Sequence, residues 1–76
     1  MRALGPTQHR ILQSLVARCE YGFSPSLKIM AADAGLNPMH HGVVMRALDK
    51  MRARGLVEKR NDQWRPTRAG LDHITI

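Results

Sequence analysis

The stretch Ser24-Pro-Ser-Leu-Lys-Ile-Met-Ala-Ala-Asp-Ala-Gly-Leu-Asn-Pro38, with the apolar-periodic run that follows it to Leu56, decides how this chain is read. Ser26 has the residue type that caps a helix, because its hydroxyl accepts from an unpaired amide in the first turn. Leu27, Met30, Ala31 and Ala34 then make a short apolar face, and Gly35 supplies a left-handed turn from which Leu36 folds back. Small residues at Ala31, Ala32 and Ala34 allow a second helix to approach closely. Asn37-Pro38 repeats the start signal, an N-cap followed by proline at the first helical position. The spacing therefore predicts two helices joined by a tight turn.

The second helix of the pair is predicted over Pro38 to Arg54, ending at Gly55 with cationic side chains near its last carbonyls. At about 100° per residue, His40, Val44, Ala47, Leu48 and Met51 gather on one side, which predicts a half-buried His40. Met39, Gly42, Arg46, Asp49 and Ala53 point the other way.

Upstream, Gly5 and Pro6 suit the N-cap and first position of another helix, with Gln8 at the third. Ile11, Leu12, Leu15, Val16 and Cys19 recur at helical spacing, and Tyr21-Gly22 stops the run, placing this helix at about residues 6 to 20. Phe23-Ser24-Pro25 makes the bend that follows.

From Leu56 the period changes to two. Leu56 to Arg60, a turn at Asn61-Asp62-Gln63, and Trp64-Arg65-Pro66 read as a β-hairpin, with Trp64 lying across the core. Thr67 would cap a last short helix in which Leu71 and Ile74 face inward, although Gly70 weakens helical propensity there. The predicted class is mainly α with a small β-hairpin: three helices, a two-stranded wing and a short C-terminal helix.

The 76 residues support one domain, 1–76, whose folding hides only about 60% of the surface of the unfolded chain. Apolar residues are 43% of the sequence, yet Tyr21, Phe23 and Trp64 are its only aromatics, so aliphatic and Met side chains must fill the interior. Cys19 is the only cysteine, which rules out an intrachain disulfide and suits a core thiol. Gly5-Pro6 interrupts the N-terminus before an apolar signal core forms, and no run approaches a membrane span, so a cytoplasmic location is expected.

Twelve Lys and Arg against six Asp and Glu give a formal charge of +6, which favours an anionic partner. Eight of the twelve cations fall after the midpoint, from Arg46 to Arg68. Helix, helix, turn, helix and basic hairpin is the order in which the last helix of the pair enters the major groove of DNA.

Residue by residue, Pro6-Thr-Gln-His-Arg-Ile-Leu12, Gly22-Phe-Ser-Pro-Ser-Leu27, Ile29 through Leu36, and Leu48-Asp-Lys-Met-Arg-Ala-Arg-Gly-Leu-Val57 resemble the DNA-binding domain of the SOS-response repressors. Trp64-Arg-Pro-Thr-Arg-Ala-Gly-Leu71 is similar to the strand and threonine-glycine turn of multiple-antibiotic-resistance-type regulators. Both belong to the winged helix-turn-helix superfamily. The resemblance implies a bacterial or phage protein that regulates transcription, with a recognition helix from Pro38 to Arg54 and a wing from Lys59 to Arg65. It further implies that the caps Ser26 and Asn37 lie where such proteins touch phosphates.

Among the residues expected to meet nucleic acid, Arg46 is suited to guanine, whose O6 and N7 accept two hydrogen bonds from one guanidinium. Lys50 lies forward beside it, His41 is placed for a phosphate, and Lys59, Arg60 and Arg65 suit phosphates along the hairpin. Met39 and Gly42, with Val43 and Met45, offer no bidentate donors, and a Met-bearing face equally suits a protein partner. A second reading therefore stands beside the first: a phage-type interaction module that inhibits or recruits a host protein. A single module gains affinity by forming a homodimer, for which Ile74-Thr75-Ile76 and Met1 to Leu4 are the candidate surfaces. His40 and His41 point about 100° apart on a helix and do not suit one metal ion. No catalytic motif and no cofactor motif is present, so neither an enzyme nor a cofactor is expected.

Overall fold

The computed structural model describes residues 4–20, 22 and 24–75, without the side chain of Thr75. Tyr21 and Phe23, read as a helix stop and a bend, lie outside the described residues, as do Met1 to Ala3 and Ile76 of the two suggested dimer surfaces. Among the described residues, four helices and one hairpin follow in the order α1 (Pro6–Glu20), α2 (Leu27–Asp33), α3 (His41–Ala53), β1 (Val57–Arg60), β2 (Gln63–Pro66) and α4 (Arg68–Thr75).

Local capping chemistry sets most of these boundaries. The Gly5 carbonyl accepts from His9 N–H at 2.9 Å, which starts α1 with Pro6 in its first position. Ser26 Oγ accepts from Ile29 N–H at 3.2 Å and starts α2. The ends of α2 and α3 are built alike. After α2, Gly35 N–H donates to Ala32 and Leu36 N–H to Ala31; after α3, Gly55 N–H donates to Arg52 and Leu56 N–H to Met51. Both glycines have φ of +76°. These paired reversed hydrogen bonds make two Schellman motifs, each followed by a leucine that turns back toward its own helix.

The start of α3 differs from the sequence expectation. Asn37-Pro38 does not open α3, which begins at His41 after His40 at φ −85° and ψ 53°. Instead Asn37 Oδ1 accepts from Met39 N–H, and the Asn37 carbonyl accepts from His40 N–H, both at 2.9 Å. Asparagine followed by proline suits the first two positions of a β-turn as well as it suits a helix start, so the pair carries both meanings. His40 is consequently exposed on the connection rather than half-buried on the helix.

The hairpin turns on two residues, Asn61 and Asp62, with φ of 52° and 62°. Positive φ at both central positions is the mark of a type I′ turn, whose twist matches that of the flanking strands. Gln63, read as part of the turn, is therefore the first residue of β2 and pairs with Arg60. Glu58 faces Arg65, and Lys59 faces Trp64. Val57 and Trp64 are buried, whereas Glu58, Arg60, Gln63 and Arg65 are exposed.

Ile11, Leu12 and Leu15 of α1, Met30 of α2, and Val44, Leu48 and Met51 of α3 form the centre of the core, closed on one side by Val57 and Trp64. Two methionines with no solvent exposure lie among them, as the scarcity of aromatics requires. α4 packs against α1 and β2, and its cap ties it to the loop after α3. Thr67 Oγ1 donates to the Gly55 carbonyl at 2.5 Å and accepts from Gly70 N–H at 3.2 Å, while Thr67 N–H donates to the Leu56 carbonyl at 3.0 Å. Ile74 packs against the core, but Leu71 remains 37% exposed at its edge instead of facing inward.

Candidate nucleic-acid interface

Because Val44, Ala47, Leu48 and Met51 are buried, the opposite ridge of α3 is set by the helical period. Gly42, Arg46, Asp49 and Ala53 occupy it, and all are exposed. On one flank Val43 and Lys50 lean toward the first turn of α1, where Thr7, Gln8, Val43, Arg46, Ala47 and Lys50 line a shallow cleft. On the other flank Met45 is partly buried against the core. The structure thus brings Arg46 and Lys50 together, and it adds Thr7 and Gln8, which sequence reading treated only as the start of a helix.

The connection before α3 presents the remaining residues expected on this face. Met39 is 80% exposed at the corner of the turn, and His41 is the exposed first residue of α3. A side chain built on Gly42 would meet nothing within 4 Å, so this position leaves the ridge open rather than filling a contact. Ser26 uses its oxygen to cap α2 and retains its hydroxyl proton for donation. Asn37 uses its carbonyl oxygen in the turn and retains its amide donors.

The hairpin cations diverge. Lys59 places its ammonium 5.5 Å from the centre of the Trp64 ring, where the charge meets the negative face of the indole. Arg60 is exposed beside the turn, next in sequence to Asn61 and Asp62. Arg65 reaches back toward the end of α1 and lines a cleft with Cys19, Gly22, Ser24 and Gln63.

Two other arginines serve the scaffold. Arg18 forms a two-pronged pair with Asp33, Nε to Oδ2 at 2.8 Å and Nη2 to Oδ1 at 3.0 Å, and Ser14 Oγ donates to the same carboxylate at 2.6 Å. Hydrogen bonds from Arg18 and then Ser14 hold the Asp33 carboxyl below the usual carboxylate range. Arg10 donates to the Ala34 carbonyl at 3.4 Å, close to the Gly35 turn. These contacts tie α1 to the end of α2. Cys19 is partly buried; burial pushes its thiol up, and the nearby Arg65 charge opposes that shift.

His40 and His41 are both exposed, and among the described residues no group of three His, Cys, Asp or Glu is placed to hold a metal ion. No helix among them is long and apolar enough to cross a membrane. No family model, curated protein or solved structure matches the chain.

Proposed function

We propose that this chain is a winged helix-turn-helix DNA-binding regulator that inserts α3 into the major groove and rests its hairpin on the phosphate backbone. The observation that carries this reading is the exposed ridge of α3, where Arg46 and the adjoining Lys50 project without a carboxylate partner among the described residues. A guanidinium there suits base edges, and the neighbouring ammonium suits a phosphate. Arg60 suits phosphates from the hairpin. Lys59 contributes less, because its ammonium sits over Trp64.

The test is titration of a fluorescent duplex at several salt concentrations. Log affinity is expected to fall linearly with log salt, by about 0.9 per phosphate neutralised. Arg46→Ala combined with Arg60→Ala is expected to flatten that slope by about one to two such contacts. Absence of binding at low salt, or an unchanged double variant, refutes the reading.

A second reading rests on Met39, 80% exposed, and Val43, 40% exposed, since flexible thioethers adapt to a partner's shape. On that reading the chain inhibits or recruits a host protein through the start of α3. Nuclease-treated capture from lysate separates the two, because a stoichiometric protein lost on Met39→Glu belongs to the second reading alone. Sedimentation analysis, free and with DNA, tests the homodimer that a half-site reader would use.

A further inference from the structure

The ridge of α3 carries two side chains able to read bases, and one of them is an acid. Gly42 and Ala53 lack polar side chains, so the chemistry of the ridge is that of Arg46 and Asp49, three residues apart and neighbours on the helix surface. Neither is engaged by the fold. The ion pair among the described residues is Arg18 with Asp33, and no hydrogen bond joins the Arg46 or Asp49 side chain to another described residue.

A carboxylate on a surface that approaches a polyanion is unfavourable unless it finds a donor. The major groove floor offers two, the amino groups of cytosine N4 and adenine N6. On adenine the amino group stands beside the N7 acceptor, so an acceptor-only carboxylate sets lone pairs against lone pairs. Cytosine presents its amino group without that neighbour. Thymine offers only O4 and a methyl group, which a carboxylate also opposes.

We infer that Arg46 and Asp49 together make this chain a reader of G·C pairs, with Arg46 on guanine O6 and N7 and Asp49 on the amino group of cytosine. The inference rests on the DNA reading above. Residues three apart on one helix face have Cβ atoms roughly 5–6 Å from each other, so the two contacts fall on the same or adjacent base pairs. Asp49 also lowers affinity for every other sequence by repulsion, which is how an acidic group raises specificity while weakening overall binding.

Selection of bound duplexes from a random library tests this with the wild-type chain, Asp49→Asn and Asp49→Ala. The wild-type chain is expected to select a motif containing G·C pairs. Asp49→Asn is expected to move one motif position from cytosine to adenine, because a carboxamide accepts from N6 and donates to N7, and the reversal should amount to roughly tenfold or more. Asp49→Ala is expected to lose the cytosine preference without gaining adenine, and both variants should bind a scrambled duplex more tightly than wild type. If all three chains bind DNA but select the same motif, Asp49 does not read a base and the inference fails alone. If none binds any duplex at low salt, the DNA reading fails and the inference fails with it.

Discussion

A methyl group built on Gly70 would collide with the carbonyl oxygen of Leu56. The approach is this close because Thr67 anchors the first turn of α4 to the loop that ends α3, donating from its hydroxyl to Gly55 and from its backbone to Leu56. The carbonyls of Gly55 and Leu56, in the loop past α3, are thus satisfied by the hydroxyl and backbone N–H of Thr67, whose oxygens in turn accept from the first-turn amides of Gly70 and Leu71 in α4. Gly70→Ala must separate the two. A loss of about 2–3 kcal/mol is expected, against a total of roughly 4–11 kcal/mol for a domain of this size. Urea unfolding checks it; an unchanged midpoint would show that α4 is not held against Leu56.

The matched ends of α2 and α3 predict matched sensitivities. Gly35→Ala and Gly55→Ala each force a side chain into φ near +76°, and each should lose about 1–2 kcal/mol. Asparagine at either position should lose less, since it tolerates the left-handed region. Thermal melts of the four variants compare them directly, and a stabilising alanine at either site contradicts the motif.

Lys59 and Trp64 supply their own reporter, because Trp64 is the only tryptophan in the chain. Lys59→Ala removes both the charge above the ring and the aliphatic stem that shields it. A loss of about 0.5–1 kcal/mol is expected, with the fluorescence maximum shifted to longer wavelength as water reaches the indole. Lys59→Met should keep the wavelength near that of the wild type, since it restores apolar cover. If the emission of Lys59→Ala matches that of the wild type, the lysine does not cover the ring.

Asp33 gives stability an acid limb. Its carboxyl is held below the usual range by Arg18 and Ser14, so its folded pKa is lower than its unfolded one. Its contribution is fully present above the unfolded value, about 3.9, and is lost as pH falls toward the folded value. Asp33→Asn should flatten stability between pH 5 and 2. Urea midpoints across that interval measure the difference, and parallel curves for wild type and variant would refute it.

The same cue can serve two conformations, and the α2–α3 connection illustrates the consequence. Asparagine with an oxygen accepting from the residue two ahead, followed by proline, begins either a helix or a β-turn. The choice falls to the turn because Leu36, folded back on α2, must hand the chain across to α3. His40 left the predicted apolar side for the same reason. Asp49, by contrast, was placed on the exposed face by the helical period, yet its chemistry is apparent only beside an unpaired Arg46 on an otherwise bare ridge.

Ser26, the Gly35-Leu36 turn, the helix end at Gly55 and the change to strand period just after it were legible in the sequence because capping and strand alternation act over a few residues of backbone. Tertiary structure alone decided which cations are engaged. Arg18 meets Asp33, Arg10 meets the end of α2, and Lys59 covers Trp64, while Arg46 and Lys50 converge beside α1. It also made Gly70 indispensable, since no local signal reveals that the Leu56 carbonyl will press against it. Charge count and helix face are properties of the chain; which charges remain available, and to what they point, depends on neighbours from distant segments.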